Sequence, residues 1–204
     1  MKVLIFLGQN VNINQYDLGN SYLIGVDKGA SILASNFIKM DLAIGDFDSL
    51  APDDFDKISL YADNIIRLNP IKDDTDTEAA LNEALKISND ITIIGGIQGS
   101  RIEHMLANIC LIKKYPFVSM IDDNSYIFTL NSDYNMNPDE YKFVSIFPLE
   151  NSIISLNGFK YNLKKYKLNL YDSLGISNEI NAYDAKISVH KGQILVIKTK
   201  NDLL

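Results

Sequence analysis

Cysteine is almost missing from this chain. Cys110 is the single one among 204 residues, so neither a disulfide framework nor a Cys-based zinc site can be built. Tryptophan is absent and histidine occurs twice. Long apolar runs are lacking as well: the opening MKVLIFLGQN has an apolar run of only about five residues, too short for a signal-peptide core or a membrane span. A cytoplasmic location with no membrane partner is the simplest expectation. Positive charge is also short, with 19 Lys+Arg against 26 Asp+Glu and a formal net charge of -7, so the overall field disfavours nucleic acid as a partner. Arginine appears only as Arg67 and Arg101. An anionic ligand would therefore need local help from a metal ion, backbone N–H groups or a few placed cations.

What is present is an ordinary globular composition, 47% hydrophobic and 22% charged, enough to bury a core without staples. Up to about residue 131, short aliphatic runs (KVLIFLG, YLIGVD, DLAIGD, DNIIRLN, DITIIGG, FVSMID) alternate with helical patterns (GASILASNFI, TDTEAALNEALKI, RIEHMLANICLIKKY). Several of the runs are unbroken. That texture predicts βαβ units and a mostly parallel sheet buried on both faces, an α/β domain over 1–131. The Asp- and Pro-rich stretch after DLAIGDFDS reads as a turn. Beyond Asn131 no helical period survives, and short alternating runs such as YKFVSIFPL and QILVIKTK predict a small antiparallel β domain over 132–204, with the boundary inside NSDYNMNPDE. Ile187 and Val189 on one side of Lys191-Gly192, with Ile194 and Val196 on the other, read as a hairpin.

Three segments carry chemistry. In GDFDS, the carboxylates of Asp46 and Asp48 lie two residues apart after a strand-like run; in an extended backbone they would point the same way and converge on one hard cation while Phe47 packs inward. The plain alternative is a turn beginning before Pro52. In KDDTDTE, Thr75 and Glu78 have the spacing of a capping box, which places Asp76 in the first turn of a helix and leaves Asp73 and Asp74 either sharing a cation or solvated on an acidic turn. In GGIQGSRIEH, a glycine-rich turn precedes a helix on which Arg101, His104 and Asn108 share one stripe, beside an apolar stripe of Ile102, Met105, Leu106 and Ile109. Glycines permit close backbone approach, and helix-start N–H groups suit phosphate. Two acidic clusters and one cationic glycine turn at strand ends of one α/β half fit a metal-bound polyphosphate, with a nucleoside triphosphate the natural candidate.

The set GVDKGAS (25–31), DLAIGDFDSL (41–50), KDDTDTEAAL (72–81), GGIQGSRIEHMLANI (95–109), NGFKYNL (157–163) and GISNE (175–179), in this order, resembles the thiamine pyrophosphokinase family over nearly the whole chain. The resemblance implies an α/β nucleotide-binding catalytic domain followed by a thiamine-binding β-sandwich, a homodimer, and transfer of a pyrophosphoryl group from ATP to the hydroxyl of thiamine, with Mg²⁺, giving thiamine diphosphate and AMP. It implies catalytic roles for Asp46, Asp48, Asp74, Asp76 and Arg101, with Asp46, Asp48 and Asp76 around the metal. Asp27, Lys72, Thr75, Gly96, Gly99, Arg101, His104 and Asn108 fall on the ATP side, and Ser177 and Asn178 on the thiamine side. Three positions depart from the family pattern: Lys28 follows Asp27 where glycine is usual, Ser31 ends that element where asparagine is usual, and Glu103 precedes His104 where aspartate is usual. Phe159, Tyr161, Tyr166, Tyr171 and Tyr183 are aromatic faces suited to a thiazolium cation or to packing. Rival readings are another metal-dependent nucleotidyl- or glycosyl-transferring enzyme and a non-enzymatic nucleotide-sensing module.

Overall fold

The computed structural model describes residues 1–8, 11–71, 73–99 and 101–200, and the chain forms two compact units. One comprises Met1–Leu111 with Phe117–Asp123, the other Ile112–Pro116 with Asn124–Leu204. In the first unit the aliphatic runs become β1 (Val3–Leu7), β2 (Tyr22–Val26), β3 (Met40–Gly45), β4 (Ala62–Arg67), β5 (Ile91–Ile94) and β6 (Val118–Ile121). They lie in the order β6-β5-β1-β2-β3-β4, and every adjacent pair is parallel. All five residues of β1 are buried, as an unbroken apolar run covered on both faces requires. Strand β4 closes one edge and is mostly exposed.

Helices α1 (Lys28–Ser35), α3 (Asp76–Leu85) and α4 (Ile102–Lys114) fall where the helical period predicts them. The stretch read as an Asp- and Pro-rich turn is instead another helix, α2 (Pro52–Tyr61). Pro52 occupies its first turn, where a missing N–H costs nothing, and Asp53 and Asp54 complement the helix dipole there. The acids and proline that suggested a turn are start signals of a helix. On α4, Ile102 and Leu106 of the apolar stripe stay exposed, whereas Leu111 and Ile112 are buried.

The winding of the sheet positions the site. From β1 the chain steps through β2 and β3 to the β4 edge, then returns to the other side of β1 for β5 and β6. Connections leaving β1 and β5 therefore diverge, and such a reversal opens a crevice at the carboxyl ends of the two strands.

The second unit is all antiparallel. Strands β7 (Ser125–Leu130), β9 (Phe143–Pro148), β12 (Gly175–Asn178) and β14 (Ile194–Thr199) pair in the order β12-β9-β14-β7, and β8 (Tyr134–Met136), β10 (Ser152–Asn157), β11 (Leu163–Leu168) and β13 (Ala185–Lys191) in the order β11-β10-β13-β8. Phe128, Val144, Ile146 and Val196 of the first group share one core with Ile154, Leu156, Ile187 and Val189 of the second. Each such side chain contributes about 1.5–3 kcal/mol by leaving water. Strands β9, β10 and β13 show the period-two burial that one solvated face demands.

The expected hairpin around Lys191-Gly192 is not a ladder. Strand β13 pairs with β10 and β8, whereas β14 pairs with β9 and β7, so both edges of each strand are already occupied. The tight turn carries the chain from one sheet to the other. Alternation on both sides of a turn says which face is apolar, and it is silent on the pairing partner. Gly192 has φ +88, and a Cβ on it would stand 2.3 Å from Ser152 Oγ. Gly192→Ala is expected to lower stability by about 1–3 kcal/mol, seen as a lower urea midpoint with unchanged slope. An unshifted midpoint would show that the turn yields without cost.

Candidate active site

A cavity of about 350 Å³ opens at the strand ends of the first unit. Leu7 and Gly8 line it where β1 ends, Val26, Asp27 and Lys28 at the junction of β2 and α1, and Ser49 beyond β3. Thr75, Asp76 and Thr77 enter from the start of α3, Gly96 from beyond β5, His104 and Asn108 from α4, and Arg101 from the residue just before α4 rather than from the helix itself. Gly99 lies with Gly96, Arg101 and His104 on an adjoining cavity of about 320 Å³. Asp46, Asp48 and Asp74 do not line the main cavity, although Ser49 brings the GDFDS turn to its wall. Lys72 lies outside the described residues.

The GDFDS segment is not extended. Strand β3 stops at Gly45, Phe47 adopts φ +57, and Asp46 Oδ1 accepts the backbone N–H of Asp48 at 3.1 Å. Asp46 and Asp48 thus sit on a turn, and the strand alternation that would align their carboxylates does not apply. Phe47 packs inward as expected, edge-on to Phe55 at 5.3 Å, and Arg67 rests over the other ring at 4.8 Å from its centroid. One arginine is thereby a packing residue, and Arg101 is the one in the cavity.

At the start of α3, Thr75 has extended backbone angles and its hydroxyl accepts the Glu78 N–H at 3.1 Å, as an N-cap should. Asp76 then stands in the first turn and faces the cavity. At the entry to α4, Arg101 Nε donates to Glu103 Oε1 at 2.8 Å. That hydrogen bond, with one from backbone, holds the Glu103 carboxyl below its ordinary range, so the pair is kept as pH falls through that range and lost only lower. Asn108 is 4% exposed and donates Nδ2–H to the Gly96 carbonyl at 3.1 Å, tying the glycine turn to the helix. Gly8, Ser49 and Thr77 escaped the sequence reading. Gly8 ends a strand run as Gly45 and Gly95 do, and that shared signal could have found it.

In the second unit, the segments 157–163 and 175–179 meet. Phe159 bridges to Ile180, Lys160 N donates to Glu179 O at 2.9 Å, and the Lys160 ammonium lies 2.6 Å from Glu179 Oε1. Asn178, 4% exposed, accepts from the N–H groups of Tyr161 and Glu179 and donates to the Tyr161 carbonyl at 2.8 Å. Its amide is committed to backbone. Ser177 is exposed with φ +55. Phe159 belongs to the core, whereas Tyr161, Tyr171 and Tyr183 are exposed.

Among the described residues no three His, Cys, Asp or Glu side chains are grouped closely enough to hold a metal by themselves. The donor set still suits Mg²⁺, which keeps water and phosphate oxygens in its shell and takes only one or two protein carboxylates. Asp76 supplies a carboxylate to the cavity wall, which Ser49, Thr75 and Thr77 also line as further oxygen-bearing residues.

Residues 14–121 match the thiamin pyrophosphokinase catalytic domain, and residues 129–194 match the thiamin pyrophosphokinase vitamin B1 binding domain. The chain belongs to the thiamin pyrophosphokinase family. It is 34% identical over 185 residues to the thiamine pyrophosphokinase of Bacillus subtilis, covering 86% of each chain. The crystal structure of thiamine pyrophosphokinase from Bacillus subtilis superposes with a TM-score of 0.90 at 30% identity, over 99% of this chain and 100% of the other. That of thiamin pyrophosphokinase from Geobacillus thermodenitrificans gives 0.88 at 26% identity, over 100% and 99%. The cavity lies wholly within the part matching the family's catalytic domain or just before it, and the joined segments 157–163 and 175–179 fall in the vitamin B1 binding domain. No helix among the described residues is long and apolar enough to cross a membrane.

The three hydrogen bonds of Asn178 make it first a support of the second unit's own backbone. Asn178→Ala is expected to lower stability by about 1–3 kcal/mol in urea denaturation, since it leaves buried backbone groups unpaired. A variant of undiminished stability that binds thiamine poorly would make ligand contact the residue's main task.

Proposed function

We propose that the cavity binds ATP and that the chain transfers its terminal pyrophosphoryl group to thiamine, as the family assignment supports. The observation carrying the reading is the meeting of Arg101, His104 and Gly96 with Thr75 and Asp76 in one cavity at the sheet's winding reversal. The thiamine hydroxyl oxygen attacks the β-phosphorus of ATP, the bond from that phosphorus to the α-bridging oxygen breaks, AMP departs and the hydroxyl proton is released. The planar guanidinium of Arg101 suits bidentate contact with phosphate oxygens, while Gly96 and Gly99 leave room for phosphate to approach backbone N–H groups. His104 and the Thr75 hydroxyl supply further donors, and Asn108 acts by holding Gly96. Asp76 in the cavity, with Asp46 and Asp48 from the adjoining turn, would hold Mg²⁺, which when bound neutralises charge on the transferring oxygens. Asp74, exposed just before α3, is assigned to the outer part of the same acidic cluster.

Thiamine recognition is assigned to the second unit, residues 132–204 of the sequence division, with the exposed Ser177 hydroxyl as contact and Asn178 as its support. A homodimer is assigned on the family assignment, and the exposed Leu170, Tyr171, Leu174 and Ile176 of the second unit are apolar side chains that a second copy could cover. Dependence on ATP supports a cytoplasmic location.

Incubation with ATP, Mg²⁺ and thiamine is the decisive measurement, with AMP formation strictly dependent on thiamine as the expected result. AMP formed equally without thiamine, or nucleotide binding with no turnover, would favour the rival readings. Asp76→Asn is expected to lower kcat by about 100-fold or more with the fold intact by circular dichroism. Arg101→Lys keeps the charge and loses the fork, so the KM for ATP should rise about tenfold. A silent lysine variant would reduce Arg101 to a surface charge.

A further inference from the structure

Asp27 is a carboxylate on the wall of a cavity assigned to an anionic ligand, where direct contact with phosphate would be repulsive. It stands at the N-cap position of α1, yet its side chain makes no capping hydrogen bond. It also adopts φ +46, ψ -112, a conformation rarely taken by residues other than glycine. Neither capping nor backbone preference accounts for an aspartate there. What the carboxylate does is reach 20 residues along the chain: Oδ1 accepts the backbone N–H of Phe47 at 3.2 Å. Phe47, flanked by Asp46 and Asp48, is itself in the left-handed region, where a bulky side chain is rare. Gly45 fits the same contact, because a Cβ on it would stand 1.9 Å from that Oδ1. The Asp27 N–H meanwhile donates to the Ile44 carbonyl at 3.1 Å, so two strained residues are locked together across the ends of β2 and β3.

We infer that Asp27 is the positioning residue of the acidic turn: its carboxylate holds Phe47 in the left-handed conformation that sets the directions of Asp46 and Asp48 toward metal-bound nucleotide. This rests on the ATP-site reading above. The acceptor atom is what matters, not the charge. Asparagine keeps an Oδ1 acceptor, and alanine does not.

The test compares the wild type with Asp27→Asn, Asp27→Ala and Gly45→Ala by amide hydrogen exchange at Phe47 and by binding of Mn²⁺ with ATP followed by electron paramagnetic resonance. In Asp27→Ala the Phe47 amide should exchange about tenfold faster and Mn²⁺-ATP binding should weaken about tenfold, as loss of one hydrogen bond allows. Asp27→Asn should stay within about threefold of wild type in both measures. Gly45→Ala crowds the same oxygen without altering its charge and should reproduce the Asp27→Ala result, which keeps the test decisive if that variant fails to fold. An asparagine variant as impaired as alanine would overturn the inference in favour of a charge contact, and so would Gly45→Ala with wild-type exchange and binding. Wild-type protein that protects the Phe47 amide but binds no Mn²⁺-ATP would instead remove the ATP-site reading, and the inference with it.

Discussion

The reversal of winding at β1 is the constraint on which the site depends. A parallel sheet buried on both faces leaves only its strand ends for chemistry, and where all connections turn the same way those ends are covered by the next crossover. Between β1 and β5 the crossovers depart in opposite directions, so the backbone after each strand is free to face a ligand. The same closeness fixes side-chain size. A Cβ on Gly29 would stand 1.9 Å from the Phe6 carbonyl oxygen, and one on Gly8 2.1 Å from Lys28 Cβ. Helix α1 can therefore sit directly on β1 only if these residues carry no side chain. The cavity and the glycine pattern of its walls have one cause.

A different constraint shapes the second unit. Eight strands in two groups of four leave each internal strand with both edges taken, so short connections such as β9 to β10 and β13 to β14 must change sheet. Apolar residues from both sheets then close a shared core, and outward positions are left polar. Loops at the rim of such a core have no ladder to satisfy their backbone. Asn178 meets that need for Tyr161 and Glu179, which is why a residue suited by chemistry to a pyrimidine edge is spent on the chain itself.

Much of this was legible in the sequence because period and punctuation act locally. Unbroken aliphatic runs gave the buried strands, and T-x-x-E spacing gave the Thr75 cap. Arg101, His104 and Asn108 share a helical stripe in the sequence and a cavity wall in the structure. What misled was inference from neighbours in sequence to neighbours in space. The Lys191-Gly192 turn reads as a hairpin because partner choice depends on strands some 30 to 75 residues away, which local alternation does not encode. The extended reading of Asp46-Phe47-Asp48 failed because a carboxylate 20 residues earlier takes the Phe47 N–H. Pro52 and the acids after it read as a turn because start signals of a helix and residues of a turn are the same residue types.

Charge completes the account of how a chain of net charge -7 can suit a polyphosphate. The cavity wall carries Lys28 and Arg101 beside Asp27 and Asp76, so the local field is mixed rather than uniformly repulsive. Glu103 does not cancel Arg101. Its contact is with Nε, on one edge of the guanidinium, and the Nη groups on the remaining edges keep the paired donors that match phosphate. A carboxylate at that edge limits the rotamers of the arginine, and fewer rotamers in the free protein would mean less entropy lost on binding the anion of the proposed reading. The length of the glutamate side chain suits this geometry, since its carboxylate reaches the Arg101 Nε from two residues further along the chain.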